Sequence, residues 1–361
     1  MRAATLTAFG APLTVHEVPD PEAGGGEVLV EVLAAGVLPY TAEVFSGERR
    51  YPLEPPVVPG AGAIGRVAHV GPDTTGLRVG ELVWCDPTVR ARDDALTPDI
   101  TLQGWSSRGE GGARLSRHLH DGSFAELMRL PTENAHRLPA EAAADPARWS
   151  ALGVHAIPYG GLLAGRLEAG ETLLVSGATG NLGSSAVAVA LAVGAGRVVA
   201  AGRNRAALTL LADRFGHRVR TVELGGDEGT DHRAMVDAAC GPIDVVLDLL
   251  PPRAPSSATR AAAMTVREYG RVVLMGGVGM LGGADLALPY PWLMRNSVTV
   301  RGQWMYPRTA NIGMIRLVAS GALDLAPEQV TRFALDRVND AVAHAAAHGG
   351  PFDRTVLTPA A

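Results

Sequence analysis

The chain has 361 residues, 47% of them hydrophobic and 19% charged, with a formal net charge of −5. That length suits about two domains of ~150 residues, and the composition excludes a disordered polypeptide and a surface built to attract nucleic acid or an anionic membrane. Only two cysteines are present, Cys85 and Cys240, and all 32 basic residues are arginine, which excludes a disulfide framework, a cysteine-rich zinc lobe, lysine Schiff-base chemistry and a lysine-bearing phosphate loop.

The first ten residues lack a sustained apolar run. The longest such stretch, 186–196, stops at Arg197, short of the ~20 residues that span a bilayer, so a soluble cytoplasmic protein is expected. Up to about residue 150 the chain reads as β-rich, with β-branched runs over 27–33 and 65–70 broken by Pro55-Pro56, Pro59-Gly60 and Gly71-Pro72. Residues 86–122 are polar and aperiodic, with Asp93-Asp94 and Gly109-Glu110-Gly111-Gly112, and predict a long functional or mobile loop. From residue 171 the pattern changes. Predicted strands at 172–176, 197–201, 219–222, 243–249 and 271–275 alternate with helices at 182–193, 205–215, 231–239 and 257–267, the signature of βαβ units on a parallel sheet. A strand at 298–302, a helix at 312–319 and a tail at 353–358 follow, the tail being expected to return to the first domain.

Strand 172–176 runs into Gly177-Ala178-Thr179-Gly180-Asn181-Leu182-Gly183 and then a helix. Small residues there let the backbone approach a diphosphate, whose charge is favoured at a helix N-terminus, although the same glycines also suit a plain tight connection. A dinucleotide-binding unit usually carries an acidic residue about 20 positions on, to accept from the ribose hydroxyls of NAD. Here that position is Gly202, followed by Arg203, Asn204 and Arg205, a set suited to a 2′-phosphate and hence to NADP(H). Two arginines opening a solvated helix are the plainer alternative.

The order of landmarks resembles the medium-chain dehydrogenase/reductase superfamily over essentially the whole chain. Val58-Pro59-Gly60-Ala61-Gly62-Ala63-Ile64-Gly65-Arg66-Val67, with Val70-Gly71 and Val79-Gly80-Glu81-Leu82-Val83, resembles the family's long glycine signature; Gly122-Ser123-Phe124-Ala125-Glu126 is similar to a family strand. The resemblance implies an α/β protein: a β-rich GroES-like catalytic domain over 1–154 and 305–361, and a Rossmann NADP-binding domain over 155–304. It also implies that Arg354 contacts cofactor phosphate and that residues 297–302 pair across a twofold to make a homodimer. Leu249 and Leu250 end one strand of the parallel sheet and Gly276, Gly277 and Val278 follow the next, the edge where open α/β sheets bind ligands, so both loops are expected to line the cofactor, as is Trp304.

Where zinc-dependent members carry ligands, this chain has Leu38, Ala61, Gly62 and Gly153, none of which can ligate zinc, so no metal is expected. His118 and His120 could clip a metal, but two solvated histidines are commoner. The zinc-independent branch of quinone oxidoreductases and enoyl reductases matches better, with Gly36-Val37-Leu38-Pro39 resembling its nicotinamide-positioning turn and Tyr51 falling where enoyl reductases carry a proton-donating tyrosine. Without a Lewis acid, alcohol oxidation is hard, whereas an electron-poor quinone or conjugated acceptor asks less of the protein. The predicted function is NADPH-dependent reduction of such a small molecule, with Tyr51, Tyr40 and His155 as candidate catalytic residues; each also suits a packing role. Leu38, Trp105, Leu249, Leu250, Trp292 and Trp304 are candidates to shape an apolar pocket. A zinc-free alcohol dehydrogenase of a specialised pathway and a non-catalytic NADPH-binding protein are the alternatives.

Overall fold

A computed structural model describes residues 1–93 and 96–359; Asp94, within the predicted loop, lies outside them. The chain divides into two units, one of residues 1–153, 325–349 and 353–361, the other of residues 154–324 and 350–352.

The first unit opens with an antiparallel pair, β1 (Arg2–Thr5) and β2 (Thr14–Glu17). Next comes β3 (Glu27–Val37), whose alternation buries Val28, Val30, Val32 and Ala34 completely, as a strand with one face on the core requires. The short helix α1 (Thr41–Phe45), β4 (Ala63–Val70) and β5 (Leu82–Cys85) follow.

Residues 86–122 are not the predicted open loop. They form a three-stranded antiparallel sheet of β6 (Thr88–Arg90), β7 (Ile100–Leu102) and β8 (Ser106–Arg108), against which α2 (Gly109–His118) packs. Two buried amides hold the ends of this segment. The Asn134 amide donates to the Asp86 and Thr88 carbonyls at 2.8 and 3.0 Å, and that of Gln103 donates to the Asp121 and Arg129 carbonyls at 2.7 and 2.6 Å. Residues 122–126 make only an isolated bridge, Ala125 to Ala3, before β9 (Leu127–Pro131) and β10 (Ala135–Arg137). Helix α3 (Pro146–Trp149) leads to α4 (Ala151–Ala164), in which the division between the units falls.

In the second unit the parallel strands are β11 (Thr172–Ser176), β12 (Arg197–Gly202), β13 (Val219–Glu223), β14 (Ile243–Asp248), β15 (Val266–Leu274) and β16 (Thr299–Gly302), in the order β13-β12-β11-β14-β15-β16. Leu173, Leu174, Val175, Val245 and Leu247 are fully buried, because helices cover both sheet faces. Those helices include α5 (Asn181–Ala192), α6 (Arg205–Phe215), α7 (Glu228–Ala239) and α8 (Ser256–Ala263). The predicted helix at 257–267 ends early, since Val266 already opens β15. After α9 (Tyr290–Arg295), helix α10 (Thr309–Ala319) packs in this unit, with a Cβ at Gly313 placed only 2.7 Å from the Tyr159 hydroxyl. Residues 305–324 therefore belong to the second unit and not, as read from the sequence, to the first.

The first unit is completed by β17 (Gln329–Ala334), α11 (Val338–Ala347) and β18 (Asp353–Thr358). The tail does return: β18 pairs antiparallel with β3 and parallel with β17, within a sheet ordered β10-β5-β4-β3-β18-β17.

Candidate active site

The glycine-rich turn joins β11 to α5 at the carboxyl edge of the parallel sheet. Gly177 has φ +84° and its amide, like that of Ala178, donates to the Ala201 carbonyl. A Cβ on Gly183 would collide with the Gly177 carbonyl, so this turn closes tightly only with glycine at both places. Gly180 caps α5 without a side-chain hydrogen bond, leaving the first-turn amides of Leu182 and Gly183 pointing out of the helix end. These residues fit a dinucleotide diphosphate, which such an N-terminus attracts through backbone donors and the helix dipole.

At the end of β12, a Cβ on Gly202 would collide with the Thr179 side chain, so glycine there meets a packing need as well as leaving room for a ribose. The two arginines beyond it differ. Arg203 is exposed and makes no hydrogen bond or ion pair with the described residues, whereas Arg205 lies 2.8 Å from Glu223, which pairs with Gly202 across the strands. Asn204 caps α6, its side chain accepting from the Ala207 amide at 3.1 Å. Of this trio, Arg203 alone offers an uncommitted guanidinium.

Two further loops occupy the same edge. Leu249 and Leu250, half-buried, follow β14, and Gly276, Gly277 and Val278 follow β15; the Gly277 amide donates to the Leu250 carbonyl at 2.8 Å, tying the loops together. Trp304 follows β16 and is 38% exposed. Beneath these loops lies Asp248, a buried carboxyl absent from the predicted site. Its signal in the sequence was a lone acid ending the apolar run Val245-Val246-Leu247.

In the first unit, Tyr40 and Tyr51 come together. Their ring centroids are 6.5 Å apart in an edge-to-face pair, Trp105 stands 6.0 Å from Tyr40, and the Arg49 guanidinium lies 4.1 Å over the Tyr40 ring while bonding Glu43 at 2.9 Å. Burial pushes the Tyr40 phenol above the ordinary tyrosine range, with Tyr51 adding to the effect, so Tyr40 stays neutral and can donate a hydrogen bond. Trp105 itself is buried and comes from the segment that the sequence alone left without structure.

The expectation of no metal concerns four positions. Leu38, Ala61, Gly62 and Gly153 offer no donor atom. Gly62 has φ +82°, and a Cβ built there would lie 2.6 Å from the Cys85 carbonyl, so the backbone leaves no room for a ligating carboxylate. Cys85 is buried, and that burial pushes its thiol up to about 12, unlike a metal-binding thiolate. Among the described residues no group of three or more His, Cys, Asp or Glu side chains could hold a metal ion.

Two expected site residues are buried. His155, on α4, is fully buried. Arg354 is buried inside the first unit, its guanidinium 2.9 Å from the equally buried Glu328.

The Alcohol dehydrogenase GroES-like domain family matches residues 24–140 and the Zinc-binding dehydrogenase family matches residues 182–320. An alcohol dehydrogenase of Rhizobium meliloti is 31% identical over 308 residues, 84% of this chain and 83% of its own. The chain belongs to the medium-chain dehydrogenase/reductase superfamily. It is accordingly an oxidoreductase, and members of this superfamily bind a nicotinamide dinucleotide. An acryloyl-coenzyme A reductase of Metallosphaera sedula is 26% identical over 90% of each chain. Among solved structures, the cobalt- and zinc-bound thermostable alcohol dehydrogenase of Pyrobaculum aerophilum aligns with a TM-score of 0.75 at 25% identity, covering 99% of both chains. The superfamily thus includes metal-bound members.

Proposed function

We propose that this protein is a zinc-independent, NADPH-dependent reductase of a quinone or a conjugated C=C/C=O acceptor. The observation that carries the reading is the donor-free set Leu38, Ala61, Gly62 and Gly153, reinforced by the closed backbone at Gly62. With no Lewis acid, stabilising an alkoxide falls to hydroxyl donors alone, so an acceptor that is already electrophilic suits it best. The relative named for acryloyl-coenzyme A reduction, a conjugated C=C substrate, supports the same class.

In this reading Leu182 and Gly183 hold the diphosphate by their amides, and the exposed guanidinium of Arg203 selects the 2′-phosphate. The bound cofactor supplies the hydride. The Tyr51 hydroxyl delivers the proton to the carbon or oxygen left anionic, and Tyr40, kept neutral by burial and braced by Arg49 and Trp105, orients the Tyr51 ring by edge-to-face contact. Buried Trp105 and half-buried Leu38 give this part of the first unit its apolar walls. The exposed edge strand β16, with Val300 37% exposed, supports pairing with a second copy into a homodimer. Among the described residues no helix is long and apolar enough to cross a membrane, in keeping with a cytoplasmic enzyme.

The test is NADPH oxidation against a panel of quinones and enones, with Tyr51→Phe as the diagnostic variant. Turnover on the panel that falls at least tenfold in Tyr51→Phe supports the reading. Cofactor binding without turnover would favour a non-catalytic role, and full activity in Tyr51→Phe would remove the tyrosine from the mechanism.

A further inference from the structure

Asp248 ends β14, the strand between β11 and β15, and is 2% exposed. The Thr259 hydroxyl of α8 donates to its Oδ1 at 3.4 Å, and the Ser176 hydroxyl of β11 and the Leu250 amide also face the carboxyl. A Cβ at Gly276 would stand 2.7 Å from its Oδ2, so the group lies directly under the loop after β15. Its backbone carbonyl accepts from Met275 at 3.0 Å, and the Leu249 amide donates to Ser176 at 3.0 Å. One carboxyl therefore underlies both loops at the edge that receives the dinucleotide.

Among the described residues Asp248 forms no ion pair. On the elements packed around it, Asp244 is paired with Arg267, Arg271 with Glu171 and Arg260 with Glu228; Asp231 accepts from the Gly225 and Gly226 amides. The His232 ring faces the Ala261 carbonyl, His155 is buried on α4, and Arg253 is exposed on the loop itself. Burial pushes the Asp248 carboxyl up to about 6, offset in part by Ser176, Thr259 and Leu250, with no charged neighbour contributing.

We propose that Asp248 is a positioning residue of the cofactor loops that takes up a proton when the dinucleotide binds. The inference rests on the dinucleotide reading of the glycine-rich turn. A diphosphate brings negative charge to the same low-dielectric edge, and like charge favours the neutral carboxyl over the carboxylate. The proton is thus held more tightly in the complex than in the free protein. Affinity is greatest in acid, falls as the pH rises through the free protein's value of about 6, and levels off above the complex's value, by about tenfold for each unit separating the two.

NADH is the probe, because a diphosphate does not titrate in this range, whereas the 2′-phosphate of NADPH has a second ionisation near pH ~6 of its own. The Kd of the full chain for NADH is measured from about pH 5.5 to about pH 8.5, with calorimetry near neutral pH in two buffers of different ionisation heat, for wild type and Asp248→Asn. Expected are a roughly tenfold rise in Kd and net proton uptake in wild type, both lost in Asp248→Asn, which keeps the side chain's size and one acceptor oxygen while removing the titrating group. A flat wild-type profile, or a pH dependence that survives in Asp248→Asn, overturns the proposal. Should Asp248→Asn fail to fold, Thr259→Val removes a donor to the carboxylate and must move the midpoint of the wild-type profile upward; an unmoved midpoint overturns the proposal as well. Failure to bind either NADH or NADPH overturns the dinucleotide reading together with this inference, whereas binding that is indifferent to pH overturns this inference alone.

Discussion

Replacing Glu328 by glutamine separates two roles for Arg354. The pair is sealed inside the first unit, with the two side chains 1% and 4% exposed and 2.9 Å apart, Glu328 standing just before β17 and Arg354 within β18. Neutralising one member leaves the other as an uncompensated buried charge, which costs about 3–5 kcal/mol. For a unit of this size each kcal/mol moves the midpoint by about 2–4 °C, so thermal unfolding should fall by roughly 6–20 °C. Arg354→Met should do the same, and the double variant Glu328→Leu/Arg354→Met should recover much of the loss, since an apolar pair removes both charges at once. The assay is thermal unfolding by circular dichroism, run alongside NADPH binding. A melting temperature unchanged within about 1 °C, with NADPH binding weakened tenfold or more in Arg354→Met, would refute the reasoning and return Arg354 to the phosphate.

Three further outcomes follow from the same geometry. Arg203→Ala should weaken NADPH by about tenfold and leave NADH within twofold, the loss of one exposed charge-assisted hydrogen bond of ~1.5 kcal/mol; equal losses for both cofactors in titration would contradict it. Gly183→Ala places a Cβ against the Gly177 carbonyl and should cost about 1–3 kcal/mol in the second unit, lowering both its melting temperature and its affinity for either dinucleotide. Of the two thiols, exposed Cys240 should react with an aromatic disulfide reagent at neutral pH, while Cys85, buried and pushed up to about 12, should react only after denaturation; two fast thiols in the native protein would show that β5 opens readily.

The parallel sheet was legible in the sequence because its strands are short apolar runs set between helices with clear starts. Helix 205–215 is found where expected, opened by Asn204 as a cap, and β11 likewise. Residues 86–122 were not legible. Their three strands have three residues each and bury Thr88, Thr101, Ser106 and Ser107, so no apolar alternation marks them. What folds them is a set of hydrogen bonds from Asn134 and Gln103 to distant backbone, which no local pattern carries. The candidate site divides along the same line. The glycine turn follows from local spacing and the two tyrosines from the family resemblance, whereas the burial of His155, the Glu328–Arg354 pair and the Arg205–Glu223 pair depend on partners brought close by folding.

The most direct test of the account is NADPH oxidation with a conjugated enone and with a quinone, measured on enzyme exhaustively treated with a metal chelator. The account predicts undiminished turnover, with NADPH preferred over NADH and no gain on adding zinc. Activity that disappears with the chelator and returns with zinc, or that appears only as oxidation of an alcohol, would contradict it.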